Sequence, residues 1–478
     1  MQRFKSLFTA IDMSEGTPWR KIALFAIPLL IGNLFQQMYS TVDAIMLGRF
    51  IGDHALAAVG ASMPVFFLIF VLILGLAMGA GIMVSQYFGA KKREELSYTI
   101  GNGITLITII SLILMITGPF LTRPLLTLLG TPAEIMDDSV LYMNILLLGV
   151  LPIAFYNILS GILRSLGDSF SPLIFLIIAC ILNIIFNFFL IPPFGVAGAA
   201  AGTVLAQAIS SVLCFKRISN MRNVFDLGKS YLVLKKEYVS QILKLGVPSG
   251  ASHVVIALSF MFVQPLVNSF GSMIIATNMI LMRIDSLVMM PIFSFGGAMS
   301  VFAGQNVGAG KMDRVSKGTK QGALMAVGTT LVLVMVIVFL GRFIAGVFTQ
   351  TQEIIDLTAI WLRLLAIGFI PFSLSNVLWG TIRGAGDAIS PLWGAAINSV
   401  FIRLPAAFIL VEIIGEPVAL IYSTLLAWTG TTLISIIVYK MGRWRTKGII
   451  RYSPKIAEDV KGSEEIDDLN VDNEKTTQ

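Results

Sequence analysis

"GILRSLGDSFSP" (residues 161–172) returns as "GTIRGAGDAISP" (residues 380–391), with Gly, Arg, Gly, Asp, Ser and Pro at matching places 219 residues apart. The same shift carries Pro152 onto Pro371, Asn157 onto Asn376 and Gly52 onto Gly271. It also carries "SQYFGAKK" (85–92) onto "GQNVGAGK" (304–311), where Gln86/Gln305, Gly89/Gly308, Ala90/Ala309 and Lys92/Lys311 are identical. One interval that aligns so many positions without a gap marks an internal duplication. The fold should therefore consist of two related halves.

Composition says what each half is made of. Hydrophobic residues make up 56% of the 478-residue chain and charged residues 13%, with a mean hydropathy of +0.85, whereas a soluble domain carries about 25% charged residues. The apolar runs reach the roughly 20 residues that a bilayer-spanning helix needs. They show none of the two-residue alternation of a transmembrane barrel. Spans are expected at roughly 20–48, 54–86, 98–120, 135–160, 170–191, 196–215, 240–268, 274–304, 319–341, 353–378, 389–411 and 417–440. An even number of spans per copy gives both copies the same orientation, so their axis of symmetry should run along the membrane normal. The expected fold class is an all-α integral membrane protein with twelve transmembrane helices in two pseudo-twofold-related six-helix lobes. Residues 1–215 form the N-terminal lobe, 216–239 a linker, 240–445 the C-terminal lobe, and the acidic stretch 446–478 a disordered tail.

Basic residues set the orientation. Arg20, Lys21, the "KKR" at 91–93, the 216–244 segment, Lys311 to Lys320 and the stretch from Lys440 all fall on one side, while Arg49, Arg123 and Arg342 are the exceptions. By the positive-inside rule that side is cytoplasmic, so both termini are expected there, in an inner (plasma) membrane. The net charge of +7 is thus a topology signal, and no nucleic-acid partner is expected. The polar N-terminus lacks the cleavage site of a secretory signal, so the first span should stay. Cys180 and Cys214 lie in apolar runs and give no disulfide framework.

The repeated polar loops, with Arg164, Asp168, Arg383 and Asp387, fall between the fourth and fifth span of each lobe. Gly supplies tight turns there, and Arg and Asp are suited to tying helix ends, so these residues read as loop-holding hinges. Ionisable groups inside spans are expensive and mark function by default. Asp43 lies roughly 9 Å below the outer edge at a 1.5 Å rise per residue, Asn183 and Asn187 roughly 14 and 8 Å, and Thr203 roughly 10 Å. Asn183 and Asn187 also share a helix face. A carboxylate among amide and hydroxyl oxygens can hold a hard cation or a proton; the alternative is plain interhelical hydrogen bonding. Gln37, Tyr39, Asn157, His253, Met282, Asp285 and Asn376 are candidates for a substrate cavity between the lobes. Arg403 and Glu412 read as structural.

"VDAIMLGR" (42–49), the "SQYFGAKK"/"GQNVGAGK" pair, the two R-x-x-G-D loops, "NIIFN" (183–187) and "GVAGAAAGT" (195–203) together resemble the multidrug and toxic compound extrusion (MATE) family. The resemblance covers residues about 15 to 440. It implies alternating access and export of organic, often cationic compounds from the cytoplasm in exchange for H⁺ or Na⁺. In many relatives the Asp43 position is acidic and an N-x-x-x-D motif follows, whereas here Asn187 stands at the second acid. The seventh span has no Glu and the stretch "IWLRLLAIGFIPFSLSNVLWG" (360–380) of the tenth no Asp, so the acidic C-lobe cation site of one branch is missing. Coupling is therefore expected in the N-lobe.

Other function classes find little support. An intramembrane enzyme would need a nucleophile and base or a metal cluster such as HExxH, and the only histidines are His54 and His253. No Walker A sequence is present, so ATP does not drive this chain. A flippase for lipid-linked saccharide precursors, the alternative function, should line its cavity with Arg and Lys, and Arg283 is the one central candidate. The expectation is a monomeric antiporter in the lipid bilayer with a small organic substrate. It has no cofactor, and no metal beyond Na⁺ at Asp43.

Overall fold

A computed structural model describes residues 11–450. Among them the chain is helical throughout: α1 (Pro18–Phe50), α2 (Asp53–Gly89), α3 (Arg93–Leu128), α4 (Ala133–Leu148), α5 (Val150–Ser165), α6 (Phe170–Phe194) and α7 (Val196–Ser219) make the first lobe. The second comprises α8 (Lys236–Ser269), α9 (Ser272–Gly308), α10 (Met312–Gly346), α11 (Gln352–Gly384), α12 (Ile389–Ala396), a π-helical turn (Ile397–Arg403), α13 (Leu404–Ile414) and α14 (Ala419–Lys440). Eleven spans are long and apolar enough to cross a membrane, and α4 and α5, meeting at 53°, supply a twelfth as one bent span. Pro28, Pro64, Pro248, Pro291 and Pro371 sit inside spans, which bilayer helices tolerate because neighbours re-satisfy the backbone.

The repeat is visible in the backbone. Gly52 and Gly271 both take positive φ (104° and 86°) between the first two helices of their lobes, and Gly167 and Gly386 do so (90° and 101°) in the polar loops. Only glycine adopts such angles without strain. In those loops Asp168 accepts from Ser171 N at 2.9 Å and Ser171 Oγ at 2.7 Å, and Asp387 accepts from Ser390 N at 3.0 Å and Ser390 Oγ at 2.6 Å. Each aspartate thus caps the helix that follows its loop.

The "SQYFGAKK" repeat joins the lobes. Gln86 Nε2 donates to the Gly384 carbonyl at 2.9 Å, and Gln305 Nε2 donates to the Ser165 carbonyl, also at 2.9 Å. Gly384 and Ser165 are themselves 219 residues apart, so these are one contact made twice across a pseudo-twofold axis. Gly89 lies against the Gln305 backbone and Gly308 against the Gln86 backbone, each leaving no room for a Cβ. Small residues allow such close helix approach. Further along, Gly75 and Gly79 of α2 abut Gly246 and Gly250 of α8. All of these contacts, with Asn33 Nδ2 to Ser294 Oγ (3.0 Å), lie in the half of the molecule that carries both ends of the described chain. On that face Met13 N donates to Gln305 Oε1 and Ile449 N to Gln86 Oε1, both at 2.8 Å. Residues near both ends of the described chain therefore finish the clasp.

The linker and the start of the tail both pack against the lobes. The linker is tied to α3: Arg93 binds Asp226 through two bonds of 2.9 and 2.8 Å, Asn102 Oδ1 accepts from Lys235 N at 2.7 Å, and Lys235 Nζ lies 3.3 Å above the Tyr98 ring. Its polar groups thus find partners along α3. Residues 446–450, assigned to the tail, pack inward instead, with Ile449 and Ile450 against the N-lobe core. The rest of that tail lies outside the described residues.

Candidate functional site

Asp43 on α1 meets Asn183 and Asn187 on α6 and Thr203 on α7 in the half of the N-lobe away from the clasp. Asn187 Nδ2 donates to Asp43 Oδ1 at 2.6 Å and to Asn183 Oδ1 at 3.3 Å, and Asn183 Nδ2 donates to Thr203 Oγ1 at 3.4 Å. Asn183 and Asn187 are fully buried. The four residues chosen from depth alone thus form one connected network, in which Asp43 is the sole carboxylate.

Glycines on α7 make this proximity possible. Gly198 lies against the Leu190 carbonyl and Gly202 against Asn187 Oδ1, and a Cβ at either would collide. Four residues apart, they form a small-xxx-small stripe along which α7 packs closely on α6. The alanine–glycine run "GVAGAAAGT" therefore acts by being thin.

Tyr39 belongs to this cluster and not to a cavity between the lobes. It is buried (7% exposed), one helical turn before Asp43 on α1, with its hydroxyl near Thr203 and without a hydrogen-bond partner. Side chains four apart share a helix face, so the heptapeptide "YSTVDAI" held the signal. Tyr142 on α4, also buried and within electrostatic reach of Asp43, could not be found that way, because it lies on another helix. Asn187 Oδ1 is the second buried oxygen without a partner. Unpaired buried polar atoms are rare and ask for an explanation.

The remaining candidates are scattered. Asn157 and Arg164 line a cavity of about 100 Å³ among α1, α5 and α6, within the N-lobe, together with Asn33 and Gln36. Asn157 donates to the Ile153 carbonyl at 2.8 Å, and its repeat partner Asn376 to the Phe372 carbonyl at 3.0 Å. Gln37 and Met282 are exposed, and His253 is half-buried within electrostatic reach of Arg383. The hinge arginines do not tie the loops: Arg164 donates to Ser160 Oγ of its own helix (3.3 Å), and Arg383 Nε is buried without a partner. Arg217 instead holds Asp168, at 2.9 Å. Loop holding therefore falls to the aspartates, whose short side chains reach the next helix start.

The C-lobe counterpart of the cluster is different. The repeat shift places Phe262 at the position of Asp43. Pro172 and Pro391 open equivalent helices 219 residues apart, but Gly195 (φ 59°) and Gly415 (φ 71°) close them 220 apart. The extra residue is absorbed by the π turn Ile397–Arg403, whose i→i+5 bonds hold one more residue than an α turn. Counted back from those glycines, Ala407 stands at the place of Asn187 and Arg403 at that of Asn183. Arg403, read as structural, is buried at 9% exposure in mid-span, 3.8 Å from the Phe260 ring centroid.

Among the described residues no three His, Cys, Asp or Glu side chains gather as a metal site. The MatE family model matches twice, at residues 28–189 and 248–409, once per lobe. The probable multidrug resistance protein YoeA of Bacillus subtilis (strain 168) is 28% identical over 456 residues, covering 92% of this chain and 96% of that protein. The multidrug export protein MepA of Staphylococcus aureus (strain MSSA476) is 24% identical over 434 residues, covering 88% and 93%. A solved outward-facing structure of a multidrug resistance MATE family transporter of the MOP superfamily superposes with a TM-score of 0.85 at 22% identity, over 91% of this chain and 98% of that one. With both lobes matched and the two-lobe helical fold shared, the chain is a multi-pass membrane transporter, not an enzyme, and belongs to the MATE family.

Proposed function

We propose that the protein exports organic cations from the cytoplasm in exchange for H⁺ or Na⁺, with the Asp43 cluster as the coupling site and the clasped face toward the cytoplasm. The carrying observation is the pairing of Asp43 with Asn187, beside two buried oxygens, Tyr39 Oη and Asn187 Oδ1, that have no partner. A hard cation takes oxygen ligands, and a proton on Asp43 removes the cost of a bare carboxylate inside the membrane.

The Asn187 amide suits a two-state site. It holds the anionic carboxylate through Nδ2, and turning the amide by half a revolution presents Oδ1 to an incoming cation. Binding would then loosen the α1–α6 tie and bias the lobe toward its other shape. A ligand shifts such an equilibrium only by its differential affinity for the two states, and this exchange of donor for acceptor supplies the difference. The gathering of basic residues on the clasped face supports the orientation. Its interlobe bonds support an outward-facing state, as in the MATE transporter whose fold it shares.

The test is ethidium transport in proteoliposomes under an imposed pH or Na⁺ gradient. Wild type should move ethidium against its gradient with one of the two ions, and Asp43→Asn, folded and equally incorporated, should fall to the protein-free leak. Undiminished gradient-driven transport by Asp43→Asn would reject Asp43 as the coupling residue.

A further inference from the structure

The C-lobe contains a buried charge system that the Asp43 cluster does not use. Arg403 closes the π turn and lies flat over the Phe260 ring of α8, with its guanidinium carbon 3.8 Å from the centroid. Its charge acts on that of Asp285 on α9. Yet the pair is not closed: Asp285 Oδ1 and Arg403 Nε are both buried without a hydrogen-bond partner, as is Asn398 Oδ1 in the same turn. Unsatisfied buried polar atoms are costly in a low-dielectric interior. An arrangement with that cost suggests a side chain held ready to move.

An aromatic face with a carboxylate behind it is a general means of holding an organic cation. Phe260 (44% exposed) and Met282 (46%) give this place an open, apolar side. Helices α8 and α9 both pack against α2 of the other lobe, so a ligand here would sit on elements that move when the lobes rearrange. The π turn supplies the movement. Tightening it to an α turn removes the extra residue and rotates Arg403 by about 100° about the helix axis, which takes the guanidinium off the ring.

We propose that Phe260 and Asp285 form a recognition site for the cationic head of an exported compound, and that Arg403 is its resident occupant, displaced when the compound binds. The proposal rests on the reading of the protein as an organic-cation exporter. Arg403 then acts as an internal competitor: it satisfies the site between cycles and returns as the compound leaves. This favours release over tight retention.

The test is ethidium binding to the full-length protein in detergent, followed by fluorescence polarisation. Arg403→Met keeps an unbranched stem, removes the competing charge and should bind at least about tenfold more tightly than wild type. Adding Asp285→Asn or Phe260→Leu to Arg403→Met should abolish that gain. Where Arg403→Met does not give a monodisperse protein, Arg403→Lys serves: it keeps the charge but loses the planar stack, and it should bind severalfold more tightly than wild type. A folded Arg403 variant with unchanged or weaker affinity overturns the proposal. If wild type nevertheless exports ethidium, the failure is that of the site alone. If wild type neither binds nor exports an organic cation, the exporter reading fails with it.

Discussion

The two lobes share one scaffold and carry different side chains at matching places. In the N-lobe, Asp43, Asn183 and Asn187 put a carboxylate and two amides between α1 and α6, with Asn187 2.6 Å from Asp43. In the C-lobe the same places hold Phe262, Arg403 and Ala407: an aromatic ring, a guanidinium and a methyl group. The glycine turns and capping aspartates are duplicated closely, so the backbone of those loops is not where the lobes diverged. A duplicated scaffold leaves one copy free to change its chemistry. Here one lobe is equipped to take a small cation and the other holds a cation of its own.

The largest expected effect comes from closing the space that the N-lobe cluster needs. Gly202 lies directly beneath Asn187 Oδ1, so Gly202→Val should push α7 off α6 and abolish gradient-driven export while leaving the C-lobe intact. Ethidium binding should persist in that variant, since the aromatic–carboxylate site lies in the other lobe. Loss of both together would mean that the lobes are not chemically independent.

Asn187→Asp would sharpen the contrast. Two carboxylates at hydrogen-bonding distance repel when both are ionised, so the pair should retain one proton to a higher pH than Asp43 does alone, and above that pH it should attract Na⁺ more strongly. Isothermal titration should therefore find Na⁺ binding about tenfold or more tighter than wild type at alkaline pH, with little difference at neutral pH. Equal affinity at both pH values would show that position 187 does not contribute to cation binding.

The smallest effect concerns what the lobes have in common. Gln86→Ala and Gln305→Ala remove equivalent bonds of 2.9 Å across the clasp, each worth about 1–3 kcal/mol when a buried partner is orphaned. Both should shift the protein toward the form open on the clasped face, and by similar amounts. Spin-label distances across that face would measure the shift. A large effect from one and none from the other would break the pseudo-twofold equivalence.

Much of the architecture was legible in the sequence because its causes are local or periodic. Apolar runs of bilayer length fix the spans, and a duplicated motif fixes two lobes, since a gap-free shift preserves every helix face. Depth arithmetic was enough to bring Asp43, Asn183, Asn187 and Thr203 to one level, because rise per residue is constant along a helix. Which faces meet at that level was decided only in three dimensions. Tyr39 and Tyr142 join the cluster because α1 and α4 turn those faces inward beside Asp43. The hinge arginines read as loop ties because they stand next to loops, yet a long side chain can turn away from its neighbours in sequence, and Arg164 and Arg383 do so. Arg403 shows the limit most clearly. A single residue absorbed in a π turn leaves no mark in composition or hydropathy, but it rotates everything before it relative to everything after, and Arg403 at the end of that turn comes to lie 3.8 Å from the Phe260 ring centroid.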